Sequence, residues 1–310
     1  MREISSWWWG IRPVVDPAPL TFWQHFRTAY PAYADSVATA FGERPRWIKQ
    51  LIKWVAFPFT LEMVRLGHRY ESLVNQDGSV QRASEWLLKT CSGGVTAHGA
   101  HNIPSEGALL IVANHAGMGD AIAIHTFLPR HDIYTVVFQR GLLAGLPAFV
   151  NYCIVIDEAD PIGSIRQIVR VLKDGHAVLL FPYGQIEYDP ALDLQQATQT
   201  LEGWSRSVEI ITRHVKDVAV LPTAVGGVLS RRALRHPIAQ RFKTFNRQSF
   251  FAGTLQLLFK AYRDAWVDVH FGTPLRQSIN HEVVQAQMRT LLAQVHQQQT
   301  ERFGTYPPSS

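Results

Sequence analysis

The sequence contains only two cysteines and no long uninterrupted apolar run, and each shortage excludes a class of protein. Cys91 and Cys153 lie in unrelated contexts, so they indicate neither a disulfide framework nor a metal site, and we interpret them as buried, reduced thiols. No stretch reaches the ~20 apolar residues that a membrane-spanning helix requires. The N-terminal residues lack the apolar region and cleavage site of a secretory signal, so we expect a cytoplasmic protein.

Charged residues are also scarce, at 18% of the chain against 46% hydrophobic residues, so a sizeable core can form. The net charge of +5 is unevenly spread, because no acidic residue lies between Asp217 and Asp264. The cations of this stretch, which we call the basic segment, are Arg231, Arg232, Arg235, Arg241, Lys243, Arg247, Lys260 and Arg263. Such a segment indicates a solvated face or an anionic partner. We expect no nucleic acid, since no recognised binding motif accompanies the charge.

The residue pattern divides the chain into three parts. Residues 1–92 have a helical pattern, with an apolar stretch that starts at Trp47 and is interrupted at Pro58. Residues 93–275 alternate short apolar strands (95–98, 109–113, 134–138, 153–156, 177–181, 218–222 and 266–271) with helices (120–128, 162–173 and 202–214). Residues 276–310 form a polar, glutamine-rich helix and tail. We predict an α/β fold, a mixed, largely buried sheet flanked by helices, with a helical N-terminal subdomain.

A histidine and an aspartate after one apolar strand are the strongest candidates for chemistry. The strand at 109–113 is followed by Asn114, His115, two glycines and Asp120, which begins a helix. This arrangement lifts the imidazole to the strand end, where ligands of open α/β sheets bind. Asp120 can accept a hydrogen bond from one ring nitrogen, which leaves the other nitrogen to take a proton from a hydroxyl. The pair therefore predicts a general base with an orienting carboxylate.

Three motifs, in order, resemble those of the glycerolipid acyltransferases, the bacterial lysophosphatidic-acid acyltransferase family. His115 and Asp120, introduced by Asn114, look like the family's first motif. Phe181-Pro182-Tyr183-Gly184 is similar to its third motif, usually Phe-Pro-Glu-Gly-Thr-Arg-Ser, and Val220-Leu221-Pro222-Thr223 resembles its fourth, an apolar strand that ends at a proline. The resemblance covers residues 95–271. It implies an O-acyltransferase in which backbone amides near Gly184 stabilise the oxyanion.

Two departures from the family pattern concern the acceptor. The glutamate and arginine of the third motif help the family to hold its acceptor, and here Tyr183 and Ile186 stand in those places. The arginine that usually ends the strand of the second motif is replaced by Asp157. Guanidinium groups suit a phosphate dianion, so the loss of both argues against glycerol 3-phosphate or lysophosphatidate as acceptor. Arg140 and Glu187 could compensate for the loss.

We therefore expect an acyltransferase of lipid metabolism, with His115 and Asp120 as catalytic residues. It would move a fatty acyl group from acyl-coenzyme A or acyl carrier protein to a hydroxyl of a lipid acceptor, as in phospholipid biosynthesis. The thioester is a co-substrate, and neither a bound cofactor nor a metal is required, because the histidines at 98, 101, 115, 125 and 131 lack zinc-site spacing. The predicted substrate-binding residues are Asn114, Arg140, Phe181, Pro182, Tyr183, Gly184 and Glu187.

Two alternatives to this function stay open, together with the mode of membrane contact. The chain could be a thioesterase-like hydrolase in which water replaces the acceptor, or an inactive lipid-binding protein on the same fold. We expect peripheral contact with the inner face of the membrane through Trp7, Trp8 and Trp9 or through the helix near Trp47. The basic segment could face lipid, the phosphates of coenzyme A or an acidic carrier protein.

Overall fold

In a computed structural model of the protein, the described residues form a seven-stranded mixed sheet with helices on both faces. The structure describes residues 20–40, 44–138, 143, 145–157, 159–242, 244–277 and 279–306. The strands are β1 (Gly94–His98), β2 (Leu109–Ala113), β3 (Ile133–Phe138), β4 (Cys153–Ile156), β5 (Ala177–Leu180), β6 (Ala219–Gly226) and β7 (Trp266–Phe271), in the order β1-β7-β6-β2-β5-β3-β4. The strands from β6 to β4 in this order are parallel, whereas β7 runs antiparallel to β6 and parallel to β1. The predicted fold class is confirmed.

The N-terminal part is helical, as its pattern predicts. It comprises α1 (Phe22–Ala40), α2 (Arg46–Val55), α3 (Phe57–Asp77) and α4 (Val80–Cys91), and Pro58 lies in the first turn of α3, so the chain breaks there into two helices. The later helices are α5 (Asp120–Phe127), α6 (Pro147–Val150), α7 (Pro161–Lys173), α8 (Leu194–Thr200), α9 (Ser207–His214), α10 (Arg231–Leu234), α11 (Phe245–Leu258) and α12 (His281–Phe303). Among the described residues, no helix is both long and apolar enough to cross a membrane.

Strand β2 lies at the centre of the core, and every one of its residues is buried. Leu110 and Val112 pack into a layer that α7, α9 and α12 complete. Leu109 and Ile111 pack on the opposite face, against α4 and α5. Because successive side chains of a strand point to opposite faces, a strand covered on both sides must be apolar throughout. This requirement explains the pattern of β2 and fixes where the chain emerges at Asn114.

Strand β6 extends beyond the end that the proline motif predicts. The expected strand covered 218–222, whereas β6 continues to Gly226 and keeps Pro222 in its interior. The Pro222 carbonyl accepts a hydrogen bond from the Gly272 N–H at 2.8 Å. Beyond this point β7 pairs with residues 223–226 and prolongs the strand. The predicted end is wrong because a distant strand, which local sequence does not reveal, continues the pairing.

The helix expected over 202–214 is shorter than predicted. Residues Leu201–Gly203 form a separate turn of 3₁₀-helix, and α9 begins at Ser207. The chain turns at Trp204, whose indole N–H donates to the buried carboxylate of Glu187 at 2.8 Å. The next amide, that of Ser205, donates to the Pro182 carbonyl at 3.1 Å. The segment is thus held by the loop after β5 rather than by a helix of its own.

Candidate active site

Three loops meet at the edge where the parallel strands end, which is the usual ligand-binding edge of open α/β sheets. The loop after β2 carries His115, the loop after β5 carries residues 181–187, and the loop after β6 begins at Gly227. Gly117 of the loop after β2 packs against Val228 of the loop after β6. A Cβ added at Gly117 would lie only 3.0 Å from Val228 Cγ2, so this contact favours glycine. The loops therefore form one site around His115.

The His115 side chain is held by Asp120. Its Nδ1 lies 2.7 Å from Asp120 Oδ2. Asp120 is fully buried, and its oxygens also accept hydrogen bonds from the Gly117 N–H at 3.1 Å and the Ala121 N–H at 2.6 Å. The imidazole itself keeps 28% of its surface exposed. A fixed carboxylate thus orients a partly accessible ring, and this is the contact that the sequence predicts.

Glu187 holds the backbone of His115 from the loop after β5. Its Oε2 accepts the His115 N–H at 2.7 Å, and its own N–H donates to the His115 carbonyl at 2.7 Å. Oε1 accepts from Thr200 Oγ1 at 3.0 Å and from Trp204 Nε1 at 2.8 Å. Burial raises the pKa of Glu187, and these hydrogen bonds oppose the rise. Both oxygens are occupied by protein donors, so Glu187 supports His115 and does not have the predicted substrate-binding position.

Asn114 also differs from its predicted role. Its side-chain Oδ1 accepts the Val225 N–H at 2.8 Å, and its Nδ2 donates to the Val225 carbonyl at 2.9 Å. The amide therefore pairs with β6 as a strand residue would, one position beyond the end of β2. Because the side chain is buried and both of its polar atoms are used, Asn114 is a structural residue and not a substrate ligand.

The motif after β5 shapes the wall of the site beside His115. The Phe181 ring stacks on the His115 ring with centroids 4.7 Å apart. Pro182 is buried, and Tyr183 packs beside Gly203. Gly184 has a φ of 73°, which favours glycine, and its N–H donates to the Phe181 carbonyl at 3.1 Å. The Gly184 N–H is therefore used within the turn. If this loop stabilises an oxyanion, the donor must be a different backbone amide.

The positions that depart from the family pattern bring no positive charge to the site. Ile186 is 37% exposed, and Asp157 is exposed while its Oδ1 accepts the Ala159 N–H at 2.9 Å. Arg140 and the three consecutive tryptophans near the N-terminus lie outside the described residues. At the two described positions where the family has arginine, this site therefore has one uncharged and one acidic side chain.

Asp189 is a residue of the site that sequence reasoning missed. Its Oδ1 accepts the N–H groups of Ala191 at 2.8 Å and Gly227 at 2.9 Å, and its Oδ2 accepts that of Val228 at 3.1 Å. Burial raises the pKa of Asp189 to about 6, and these backbone hydrogen bonds lower it. The carboxylate joins the loops after β5 and β6. In the sequence, Asp189 is simply an acidic residue two positions after Glu187, and nothing there distinguishes it from an ordinary surface aspartate.

A comparison with protein families agrees with the position of the site. Residues 94–226 match the protein-family model described as Acyltransferase. The matched segment runs from the first residue of β1 to the last residue of β6, so it includes His115, Asp120 and the loop after β5. Among solved structures, a 1-acyl-sn-glycerophosphate (LPA) acyltransferase, PlsC, from Thermotoga maritima is similar over 90% of each chain, with 16% identity and a TM-score of 0.42.

Replacing Glu187 tests whether it holds the catalytic loop. We expect Glu187→Ala to lower the free energy of unfolding by about 2–3 kcal/mol, because buried donors from His115, Thr200 and Trp204 lose their acceptor. Urea denaturation followed by tryptophan fluorescence measures the change. Glu202→Ala, at an exposed position nearby, should leave the stability unchanged. Equal stability of the two variants would contradict the supporting role.

Proposed function

We propose that this protein, a member of the acyltransferase family through residues 94–226, transfers a fatty acyl group from a thioester to a hydroxyl of a lipid acceptor. The observation that carries the proposal is the contact between His115 Nδ1 and the buried Asp120 carboxylate at the ligand-binding edge of the sheet. An oriented imidazole that is partly accessible is what base catalysis on a hydroxyl requires.

In the proposed reaction, His115 removes the proton from the acceptor hydroxyl while the hydroxyl oxygen attacks the thioester carbonyl. The carbon–sulfur bond then breaks, and the imidazolium returns the proton to the departing thiolate. Asp120 stabilises the imidazolium through the 2.7 Å contact and keeps the ring in one orientation. The acceptor supplies the nucleophile, so no covalent intermediate on the protein is needed.

The basic segment supports an anionic donor, such as coenzyme A or an acidic carrier protein. Phe245, at the start of α11, stacks on Tyr188 with ring centroids 4.5 Å apart, and Tyr188 directly follows Glu187. The segment therefore borders the loop that holds His115. Arg232, Arg235 and Arg241 of this segment are exposed, and exposed cations raise the local concentration of an anionic substrate.

The first test of this function is the loss of the base. His115→Ala should lower the rate of acyl transfer by about 10²–10⁴, the usual contribution of a general base, while the protein stays folded. Asp120→Asn should lose less, because it keeps the shape and loses the charge. The assay follows transfer from labelled acyl-coenzyme A and acyl carrier protein to a mixed lysolipid acceptor, with His101→Ala, an exposed histidine, as control.

The same assay separates the proposal from its alternatives. Near-normal transfer by His115→Ala would contradict the mechanism. Thiol release that does not increase when acceptor is added would instead indicate the hydrolase, in which water takes the acceptor's place. Absence of both transfer and thiol release with either donor would favour a lipid-binding protein on this fold.

Helix α2 supports peripheral contact with a membrane. None of its residues is buried, and Trp47 and Trp54 are 69% and 78% exposed. Its remaining face carries Arg46, Lys49 and Lys53, of which Lys53 pairs with Asp35. Exposed tryptophans beside cations suit the interface of an anionic bilayer. Gly145, between β3 and β4, packs against Ala29 and Tyr33 of α1, so the N-terminal helices contact the α/β domain.

Removing the two exposed tryptophans of α2 tests this contact. The double variant Trp47→Ser, Trp54→Ser should sediment with phosphatidylglycerol vesicles at least about tenfold less than the original chain, because interfacial burial of these rings is lost. Ile162→Ser removes an apolar side chain of similar exposure, 64%, from α7 and serves as control. If both variants bind as the original does, the contact lies elsewhere in the chain.

The acceptor that we propose has a free hydroxyl and no terminal phosphate. A phosphate monoester in a cleft needs fixed cations, and an exposed ion pair, worth only ~0–1 kcal/mol, does not substitute. Ile186 and Asp157 occupy the two positions where the family has arginine. Candidate acceptors are a hydroxy-fatty-acyl amino-acid lipid, a glycosylated lipid or a lysophospholipid with a masked phosphate.

A competition assay with one labelled donor and equal amounts of each acceptor tests this preference. We expect lysophosphatidate to be used less than the acceptors without a terminal phosphate, and a clear preference for lysophosphatidate would contradict the proposal. Ile186→Arg should improve the use of lysophosphatidate if this position faces the acceptor. Ile210→Arg adds the same charge at a position of similar exposure, 39% against 37% for Ile186, and should have no effect.

A further inference from the structure

Two histidines stack on each other in the outer strand pair of the sheet. His98, the last residue of β1, pairs in register with His270 of β7. Their ring centroids are 4.3 Å apart, and the ring planes differ by 24°. Both rings border α12, on the face of the sheet that this helix covers. None of the residues placed at the candidate active site takes part in this cluster.

Each ring ends in a buried nitrogen that makes no hydrogen bond of good geometry, although the Gln294 side chain lies within reach of His270. This holds for Nε2 of His98 and Nε2 of His270, and His270 as a whole is only 5% exposed. A buried polar atom without a partner costs ~1–3 kcal/mol, so it calls for a water or an ion that occupies it. In the part of the chain that the structure describes, nine buried side-chain atoms lack a partner, and five of them lie on β1, β7 or α12. Most of these atoms therefore lie on the strand pair that carries the histidines and on the helix that covers it.

The histidines line a cavity of about 320 Å³ together with Gln294, Gln297 and Gln298 of α12. Gln294 and Gln297 are exposed, so the cavity can be reached from solvent. Neutral imidazole nitrogens are preferred ligands of Zn²⁺, Ni²⁺ and Cu²⁺, while amide oxygens and water can complete the coordination. Mg²⁺ and Ca²⁺ prefer carboxylate oxygens, and none lines the cavity.

We propose that His98 and His270 bind one divalent transition-metal ion of the zinc, nickel or copper class. Two metal–nitrogen bonds of about 2.0–2.1 Å place the nitrogens roughly 3–3.4 Å apart. The stacked rings are 24° from parallel, so binding requires both rings to turn about their side-chain torsions until their nitrogen lone pairs converge on the ion. Since no three His, Cys, Asp or Glu side chains converge on one point among the described residues, glutamine oxygens and water supply the other ligands. The ion joins the outer strands to α12 and has no part in acyl transfer.

Calorimetric titration of the untagged, chelator-treated full chain tests this site. We expect one Zn²⁺ or Ni²⁺ per chain and no measurable heat with Mg²⁺. His98→Asn and His270→Asn should each weaken binding by at least about tenfold, because each removes a direct ligand. His101→Asn, which changes an exposed histidine three residues from His98, should bind like the original chain. Zn²⁺ should also raise the melting temperature of the original chain but not that of the double variant His98→Asn, His270→Asn.

Two outcomes would overturn the proposal. One is binding by the original chain that is no tighter than binding by the double variant. The other is an equal loss of affinity in His101→Asn, which would indicate adsorption to surface histidines. Circular dichroism checks that each variant is folded, and where His270→Asn unfolds, His98→Asn, whose ring is only partly buried, decides the question.

Discussion

Beyond Ala113 the chain leaves the hydrogen-bond ladder of the sheet, and the candidate active site depends on how its backbone is held after that point. The Asn114 amide takes the place of a strand residue opposite Val225, Glu187 accepts the His115 N–H, and Asp120 accepts the Gly117 N–H. Side chains supply these partners because buried backbone groups need hydrogen bonds and no strand continues there. The loop is thereby fixed, and the His115 ring remains partly accessible.

Buried carboxylates do most of this work, although burial is unfavourable for them. Asp120 and Asp189 have no exposed surface, and Glu187 has 2%. Burial raises the pKa of Glu187 and Asp189, which shows that the charged form carries a cost. Each carboxylate offsets that cost by accepting several N–H or O–H donors, more than a single carbonyl could satisfy. The site is organised before any substrate arrives, because these bonds exist within the protein itself.

The features predicted from sequence are those that short-range pattern determines. The strands are recognisable because cover on both faces requires apolar residues throughout, and the contact between His115 and Asp120 follows from a spacing of five residues across one turn. The predictions fail where a residue's role or a strand's length depends on a partner that is distant in sequence. Glu187 becomes a support because Trp204 and Thr200 reach it, and β6 continues past Pro222 because β7 pairs with it. Nothing near these residues in the sequence identifies such partners.

The same limit applies to His98. Its nearest histidine in sequence is His101, but its neighbour in space is His270, brought there by the parallel pair of β1 and β7. Around β2 the layers are apolar, and Met288, Leu292 and Val295 of α12 belong to that core. Toward β1 the same helix presents glutamines, and unpartnered polar atoms replace apolar contact. An ion that binds only the folded chain stabilises it by an amount that grows with the logarithm of the free ion concentration relative to Kd. The proposed metal would therefore stabilise the contact between α12 and the outer strands β1 and β7, where apolar packing is replaced by polar side chains.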